Sequence, residues 1–191
     1  MPVEVKRRKI AVLGARSVGE QRPSSSSVKQ FVEKQFIDSY YPTIERAYVK
    51  SIAYKGNEYV LEIFDTAGQD EFSPLKAQYA IGIHGYVLVY SIASSNSFEM
   101  VQILHDKIID YCGVTDIPCV IVGAKSDLHS NRQVQFSELE RVAEANNAAC
   151  VETSAKDDVN VGRVFQLCVQ EIERRLSNNQ AVPQANRCLL Q

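Results

Sequence analysis

The chain has 191 residues, of which 45% are hydrophobic and 23% are charged, so its length and composition favour one globular domain. Its formal net charge of -2 offers no electrostatic footprint for nucleic acid, whose phosphates call for a clustered basic surface, so we set nucleic-acid binding aside. No run of apolar residues is long enough to cross a bilayer and the N-terminus has no secretory signal, so we expect a protein on the cytosolic side.

Short apolar runs rich in β-branched and aromatic residues alternate with longer helical patterns. The predicted strands are Lys9 to Leu13, Ala47 to Lys55, Glu58 to Phe64, Gly85 to Ser91, Pro118 to Gly123 and Ala149 to Glu152. The second strand is expected at an antiparallel edge, because Lys55-Gly56-Asn57 is typical of a hairpin turn. The basic run Lys6 to Lys9 is interpreted as a solvated entry to the first strand. The alternation predicts an α/β fold with a mostly parallel six-stranded sheet and helices on both faces.

Two helices are indicated by apolar residues that recur on one face at the helical period. The first stripe consists of Phe98, Val101, Leu104, Ile108 and Ile109, and the second consists of Val161, Val164, Phe165, Cys168, Val169 and Ile172. Ser94 to Ser97 marks the start of the first helix, and Ser137 with Glu140 forms a capping-box pattern. Polar residues without periodicity follow Leu176. We therefore expect a domain over residues 1–176 and a flexible tether over residues 177–191.

The cysteines fall into two groups. Cys112, Cys119, Cys150 and Cys168 lie singly in apolar segments, which is typical of buried reduced thiols. Cys188 differs, because Cys188-Leu189-Leu190-Gln191 is a C-a-a-X box whose final Gln favours farnesyl addition.

One lipid chain binds a membrane only reversibly. Arg174, Arg175 and Arg187 would add a small basic supplement. We expect attachment to the cytosolic face of an endomembrane or the plasma membrane.

The loops that follow the strands carry the functional signals, because ligands of open parallel sheets bind beyond the carboxyl ends of the strands. Gly14-Ala15-Arg16-Ser17-Val18-Gly19 follows the first strand and matches the first six positions of the phosphate-binding motif G-x-x-x-x-G-K-[ST]. Backbone N–H groups and a helix N-terminus hold anionic oxygens in that motif. Two glycines alone are not specific, and a simple strand-to-helix turn explains them about equally well.

The segment Asp65-Thr66-Ala67-Gly68-Gln69-Asp70-Glu71 follows the third strand and is more specific. A carboxylate at a strand end, here Asp65, can hold Mg²⁺ through water. Gly68 lets a backbone N–H approach a terminal phosphate, and Gln69 can orient an attacking water.

Two further segments follow the last two strands, Ala124-Lys125-Ser126-Asp127 and Glu152-Thr153-Ser154-Ala155-Lys156. Asp127 could accept hydrogen bonds from the N1–H and the exocyclic amine of guanine, a pair of donors that adenine does not offer. The Ala155 backbone N–H could donate to the guanine O6. The spacing therefore predicts a site for a guanine nucleotide.

These segments, in this order and over nearly the whole chain, resemble the Ras superfamily of small GTPases. Arg16-Ser17 together with Tyr41-Pro42-Thr43-Ile44-Glu45 is similar to its Rheb group. The resemblance implies GTP or GDP with Mg²⁺ as ligands, GTP hydrolysis, a monomer, a GTPase-activating partner of the tuberin type and an effector of the target-of-rapamycin kinase type. The implied nucleotide contacts are Gly14, Arg16, Ser17, Val18, Gly19, Ser25, Phe36, Asp38, Tyr40, Thr43, Gly68, Lys125, Asp127, Ser154, Ala155 and Lys156. The implied catalytic residues are Gln69, Gly68 and Thr43, and the implied metal ligands are Ser25, Thr43 and Asp65.

The chain departs from the family pattern directly after Gly19, where Lys and then Ser or Thr are expected. It instead has Glu20-Gln21-Arg22-Pro23 and then four serines, which is four surplus residues and no lysine. Losing one partner of a desolvated charge pair costs roughly 2–5 kcal/mol, or roughly 30-fold to several-thousand-fold in affinity. Pro23 suits a first helical position, so the helix can begin one turn late with Ser25 as the magnesium hydroxyl. A solvated insertion explains the serine run about equally well.

The second departure is Ala124, where the family has an Asn that binds the base and ties neighbouring loops together. Arg16 is also expected to slow hydrolysis, because its bulk hinders the attacking water and an incoming arginine finger.

Three hypotheses follow from the sequence. The first is a lipid-anchored GTP/GDP switch with slow hydrolysis, and the second is a pseudo-GTPase that serves as an interaction module. The third is that Glu20 to Pro23 reflect a misread splice junction and are not in the natural protein.

Overall fold

The computed structural model describes residues 5–15, 23–35, 46–66, 68 and 74–180. The strands are β1 (Val5–Gly14), β2 (Arg46–Tyr54), β3 (Asn57–Asp65), β4 (Gly85–Ser91), β5 (Cys119–Ala124) and β6 (Ala149–Thr153). The α-helices are α1 (Pro23–Glu33), α2 (Ser95–Cys112), α3 (Phe136–Ala145) and α4 (Val161–Gln180). Short 3-10 helices cover Ala77–Tyr79 and His129–Asn131.

The strands form one six-stranded sheet in the order β2-β3-β1-β4-β5-β6. The hairpin pair β2 and β3 is antiparallel, and the other neighbouring pairs of described strands are parallel. The prediction of a mostly parallel sheet with one antiparallel edge strand is therefore confirmed.

Helices cover both faces of the sheet, and both predicted apolar stripes lie in the core. Helices α1 and α4 pack on one face, where the rings of Phe31 and Phe165 stack with centroids 4.0 Å apart. Helix α2 packs on the opposite face through Val101, Leu104 and Ile108, each at most 1% exposed. A fully buried side chain of this size stabilises the fold by about 1.5–3 kcal/mol, so these stripes are a main source of stability.

Strand β1 begins at Val5, so the run Lys6 to Lys9 lies within the strand and not at its entry, although Arg7 and Lys9 are exposed as a solvated run would be. In the strand, Arg8 Nη2 donates to Glu173 Oε1 at 2.6 Å and Lys6 Nζ donates to Glu173 Oε2 at 3.4 Å. Burial opposes ionisation of Glu173, but the hydrogen bonds and charges of Arg8 and Lys6 outweigh it and hold the pKa of the carboxyl below its usual value. These contacts join the first strand to α4.

Helix α4 continues to Gln180, so residues 177–180, which were predicted to begin the flexible tether, are helical. The polar residues after Leu176 continue this helix, and Ser177 Oγ donates to the Glu173 carbonyl at 2.8 Å, one turn earlier. Residues 181–191, including Cys188, lie outside the described residues.

The predicted capping box at Ser137 and Glu140 was displaced by two residues. The α3 helix begins at Phe136, and the Glu138 carboxylate accepts a hydrogen bond from the Gln135 N–H at 2.8 Å. The start of α2 is confirmed, because the Ser94 hydroxyl accepts from the Ser97 N–H at 3.3 Å.

The four cysteines of the apolar segments are free thiols, as predicted. Cys119 and Cys168 are buried, whereas Cys112 and Cys150 are only half-buried, so the predicted burial was wrong for these two. Burial raises the pKa of the Cys119 thiol to about 12, which makes it inert near neutral pH. Within the described part of the chain, none of the helices combines the length and the apolar character that a membrane crossing demands.

Candidate functional site

The candidate site lies where the parallel strands end. Strand register places the end of β1 beside β3 and β4, because Val12 is paired with Asp65 and Gly14 with Val89. Further along the strand order, Ala124 at the end of β5 is paired with Thr153 at the end of β6. The loops that the sequence singled out therefore follow neighbouring strands along one edge, which we call the carboxyl edge.

The phosphate side of this edge is formed by the start of α1 and the end of β3. Ser25 Oγ donates to Asp65 Oδ1 at 3.1 Å, and the two residues are 7% and 2% exposed. Ser24 and Ser27 are also buried, so the alternative of a solvated serine insertion is wrong for Ser24 to Ser27. The helix begins at Pro23 because proline has no N–H to satisfy in the first turn.

Gly14 brings the end of β1 close to this helix. A Cβ at Gly14 would lie 3.0 Å from the Val89 carbonyl oxygen and 3.4 Å from Ser24 Oγ, so a larger residue would push the helix start away. Ser25 faces Asp65, so it is the residue that would take the hydroxyl position of the phosphate-binding motif. Ser24 would then take the position where the motif has its lysine.

Thr66, the first residue after β3, is hydrogen-bonded to β1. Its N–H and its Oγ1 both donate to the Val12 carbonyl, at 3.2 Å and 3.0 Å. Gly68, two residues further, is half-buried. The segment that carries Gly68 therefore leaves the sheet directly beside the end of β1.

The base side of the carboxyl edge joins the loop after β5 to the end of β6. Ser154 Oγ donates to Asp127 Oδ1 at 2.6 Å, and the Ser126 N–H donates to the Thr153 carbonyl at 2.9 Å. Lys125 has a φ of 62°, which turns the chain back toward β6. These contacts hold the Asp127 carboxylate at a defined place beside Ser154.

The segment after β6 closes on itself in a short turn. Ser154 and Val159 exchange two backbone hydrogen bonds, at 3.1 Å and 2.9 Å, and the Asp157 N–H donates to Ser154 Oγ at 3.1 Å. Ala155 is 9% exposed, and Lys156 is exposed. The turn fixes the backbone on both sides of the Ala155 amide.

Comparison with known proteins decides the family to which these features belong. A model described as the Ras family matches residues 9–174. The chain belongs to the Ras family. The GTP-binding protein rhb1 of Schizosaccharomyces pombe is 52% identical to it over 171 residues, which are 90% of each chain.

Two further relatives belong to the same group. The GTP-binding protein Rheb of Homo sapiens is 47% identical over 169 residues, which are 88% of this chain and 90% of that protein. The small monomeric GTPase RhbA of Aspergillus fumigatus is 46% identical over 192 residues that cover both chains fully. Within the Ras family, the chain is therefore a Rheb-like small GTPase with a Ras-like G domain.

Small GTPases of this family are GTP hydrolases that use GTP, GDP and Mg²⁺, and they work with regulators and effector kinases as their kind of partner. The comparisons thus favour a GTPase over a pseudo-GTPase. The described residues fit such ligands. Ser25 and Asp65 present two buried oxygens, the donor type that Mg²⁺ requires, and Asp127 offers acceptor oxygens to a base.

The described residues of this Rheb-like GTPase include nine of the predicted site positions: Gly14, Ser25, Asp65, Gly68, Lys125, Asp127, Ser154, Ala155 and Lys156. They lie in the loops of the carboxyl edge or at its strand ends. Arg16, Ser17, Val18, Gly19, Phe36, Asp38, Tyr40, Thr43, Gln69 and Cys188 lie outside the described residues.

The sequence analysis missed an ion pair behind the base side. Arg132 Nη1 and Nη2 donate to Glu152 Oε1 and Oε2 at 2.6 Å and 2.8 Å. Glu152 belongs to a segment that had been singled out, but nothing in the sequence links it to Arg132. Gly123 gave the one available signal, because a glycine inside an apolar strand often marks a close approach by a neighbouring group.

Proposed function

We propose that this Rheb-like GTPase is a lipid-anchored switch that alternates between GTP and GDP at the carboxyl edge of its sheet and hydrolyses GTP slowly. The observation that carries the proposal is the contact of 3.1 Å between Ser25 Oγ and Asp65 Oδ1. It supports a phosphate loop that recovers the register of its motif after the four surplus residues. The family resemblance adds growth and nutrient signalling through a target-of-rapamycin kinase as the downstream role, and a tuberin-type protein as the regulator.

The metal would be held by Ser25, Asp65 and Thr43. Mg²⁺ at this place supplies positive charge between the phosphate oxygens and fixes their position. Ser25 contributes a hydroxyl oxygen, and Asp65 contributes a carboxylate that is only 2% exposed. A carboxylate at the end of a strand is of the donor type that Mg²⁺ prefers.

Guanine would be selected by Asp127, with the Ala155 N–H as a donor to O6. The bond from Ser154 to Asp127 uses one carboxylate oxygen and leaves lone pairs for the base. The missing Asn at Ala124 lowers the affinity, and the lysine position held by Ser24 lowers it further. We expect nucleotide binding that is weaker than in relatives with the full motif.

Hydrolysis would depend on Gln69 to orient water, with Gly68 and Thr43 responding to the γ-phosphate. Arg16 supports slow turnover, because bulk at this position of the motif is expected to hinder the attacking water. The ordered state of these two segments would present Tyr41 to Tyr48 to an effector, which links the bound nucleotide to signalling.

Attachment to the membrane would come from a farnesyl group on Cys188. Arg174 and Arg175 supply less positive charge than the sequence suggested, because Arg174 donates to Glu171, and Arg175 donates to Glu171 and Asp116. The basic supplement is then mainly Arg187, which favours a loose and reversible attachment.

Magnesium dependence tests the proposal. The dissociation rate of a fluorescent GDP analogue is measured with Mg²⁺ and with a chelator, for the wild type, Ser25→Ala and Ser177→Ala. Ser177 is the control, because it lies in α4 one turn after Glu173, which contacts Lys6 and Arg8 near the start of β1. We expect chelation to accelerate release from the wild type and Ser177→Ala, while Ser25→Ala releases GDP quickly under both conditions. Equal magnesium dependence of all three proteins would overturn the assignment of Ser25.

Gln69→Leu tests hydrolysis in the same preparation. Single-turnover GTP cleavage should fall at least tenfold if Gln69 orients the water, which is roughly 1.4 kcal/mol of barrier. An unchanged rate would mean that Gln69 has no part in the reaction.

A further inference from the structure

Three successive residues at the end of β6 contact the segment that follows β5. Glu152 pairs with Arg132, the Thr153 carbonyl accepts from Ser126, and Ser154 bonds to Asp127. We call these three contacts the base-loop link. Two of them are backbone or neutral hydroxyl contacts, and the Arg132–Glu152 pair is the one formed by two oppositely charged side chains.

The Arg132–Glu152 pair has the geometry of a strong interaction. Both nitrogens of the guanidinium fork meet both carboxylate oxygens, at 2.6 Å and 2.8 Å, and the side chains are only 20% and 17% exposed. Arg132 Nη1 also donates to the Val134 carbonyl at 3.0 Å. Bidentate ion pairs of this kind fix the relative orientation of the two side chains as well as their distance.

Gly123 makes room for this pair. A Cβ at Gly123 would lie 3.2 Å from Glu152 Cγ and 2.8 Å from Tyr90 Oη. The Glu152 side chain therefore crosses the end of β5 through space that a side chain at 123 would fill. The close approach accounts for the glycine within this strand.

The contact between Ser126 and Thr153 is formed by backbone atoms, and the Thr153 side chain adds no hydrogen bond to it. Thr153 is fully buried, and its Oγ1 has no hydrogen-bond partner among the described residues. Its register partner is Ala124, whose methyl group can neither donate nor accept. A buried hydroxyl without a partner contributes nothing to holding the loops together and is itself unfavourable.

Arg132 is coupled to Asp127 through a short, hydrogen-bonded stretch of chain. The Leu128 N–H donates to the Lys125 carbonyl at 2.9 Å, and the Arg132 N–H donates to the His129 carbonyl at 3.3 Å. A shift of Arg132 is therefore transmitted to the loop that carries Asp127.

We propose that Arg132 is a positioning residue for guanine binding, which acts by clamping Glu152 and so holding the Asp127 carboxylate against Ser154 where Ala124 supplies no side-chain tie. The inference rests on the proposed nucleotide switch, because it deepens the role of the base side. It names a specificity element that touches no nucleotide atom itself.

The primary test is the release of a fluorescent GDP analogue from the full chain, chased with unlabelled GDP. Arg132→Met keeps the length of the side chain and removes the fork, and it should accelerate release on the order of tenfold. Glu152→Gln keeps the shape and one acceptor, and it should accelerate release about threefold. Arg132→Lys should fall between the wild type and Arg132→Met, because lysine keeps the charge without the fork.

The matched control is Arg175, which forms a similar fork with Asp116 at 2.7 Å and 2.8 Å near the start of β5 and is 13% exposed. Arg175→Met and Asp116→Asn should lower the melting temperature about as much as the Arg132 and Glu152 variants but change GDP release less than twofold. If the Arg132 variants lose the same stability and release GDP at the wild-type rate, the pair has only a structural role and the proposal is overturned.

Restoring the missing tie gives a second, independent test. Ala124→Asn places an amide beside the unpartnered Thr153 hydroxyl, so it should slow GDP release more in the Arg132→Met background than in the wild type. Strictly additive effects would contradict the proposal, because two ties that hold the same pair of loops must be coupled.

Amide hydrogen exchange separates failure of this inference from failure of the proposed function. Without added nucleotide, the Ser126 amide should exchange faster in Arg132→Met and unchanged in Arg175→Met, relative to the wild type. If the wild type retains no GDP, the nucleotide switch fails while this result still supports the clamp. If Ser126 exchanges equally in all three proteins, the clamp is wrong whatever the nucleotide does.

Discussion

The base side and the phosphate side of the carboxyl edge depend on different kinds of contact. On the base side, the described loops hold one another through Asp127–Ser154, Ser126–Thr153 and Arg132–Glu152. On the phosphate side, the described contacts include Thr66–Val12 and Ser25–Asp65. The Arg132–Glu152 contact of the base side joins two opposite charges that satisfy each other, whereas Ser25 and Asp65 are two oxygen-bearing groups that Mg²⁺ would bind in the proposed switch.

The two departures from the family pattern should lower the affinity for nucleotide by different amounts. Ala124 removes one tie from a set of several, and the remaining contacts keep the loops in register. The absent lysine removes a full charge that would face the phosphates, and Ser24 offers only a small neutral hydroxyl in its position. The phosphate side should therefore account for most of the lost affinity.

The largest expected change in GDP affinity comes from a substitution on the base side. Asp127→Ala removes both acceptors for guanine and should weaken GDP binding on the order of 100-fold, because each hydrogen bond to a charged group contributes about 1.5–3 kcal/mol. Preference for GDP over ADP should disappear in the same titration. Asp106→Ala, an exposed carboxylate of α2, is the control and should leave both affinities unchanged. Retained preference for guanine in Asp127→Ala would contradict the assignment.

The next largest change in GDP affinity is expected from restoring the lysine on the phosphate side. Ser24→Lys restores the motif lysine directly before Ser25 and should tighten GDP binding tenfold or more, since a desolvated charge pair contributes several kcal/mol. The measurement is the same fluorescent titration. A matched Ser24→Met variant adds bulk without charge and should not tighten binding. If lysine and methionine behave alike, Ser24 is not in the lysine position.

A smaller effect probes the base side without any ligand. Gly123→Ala should lower the free energy of unfolding by about 1–3 kcal/mol, because the new Cβ overlaps with Tyr90 Oη and Glu152 Cγ. Gly162→Ala, in α4 with open space around its Cβ, should instead raise it by about 0.5–1 kcal/mol. Urea unfolding measures both changes. Adding Tyr90→Phe should recover part of the loss at Gly123, because it removes the oxygen that clashes.

The smallest effect lies away from both sides of the site. His84 Nδ1 accepts a hydrogen bond from the Lys9 N–H at 2.8 Å, and burial, followed by the charges of Arg8 and Lys9, lowers the pKa of the ring. Since the unfolded chain takes up this proton first, His84 stabilises the fold above its unfolded pKa of about 6.5, and that contribution is lost as the pH falls through the folded pKa. His84→Asn keeps an acceptor and should flatten this dependence in thermal unfolding between about pH 5.5 and 7. An unchanged slope would mean that His84 does not titrate in this way.

Much of the fold was predictable because each strand has an apolar run and each major helix has an apolar stripe. The boundaries were less predictable where tertiary contacts decide them. Pairing with β3 extends β1 to Val5, where Arg8 and Lys6 also contact Glu173, and α4 continues through polar residues to Gln180. No local sequence pattern indicates the partners of β1, because Glu173 is distant in sequence. The end of α4 was not predicted, because its residues are polar and lack helical periodicity.

The site was predictable to the extent that its motifs are continuous in sequence. Asp65, Asp127 and Ser154 were predicted in this way, and Ser25 was predicted from a helix that begins one turn late at Pro23. The structure places all four at the carboxyl edge, and their roles stay predictions. The Arg132–Glu152 pair was not predictable, because it joins residues 20 positions apart on either side of α3. Its detection needed the fold that brings the loop after β5 against the end of β6.

The central claim is that the carboxyl edge binds a guanine nucleotide despite the altered phosphate loop. The most direct test is an equilibrium titration of the purified full chain with fluorescent GDP and fluorescent ADP in excess Mg²⁺. The account predicts saturable binding of GDP, at an affinity weakened but measurable, with no comparable binding of ADP. Absence of saturation with GDP up to high micromolar concentration would contradict it.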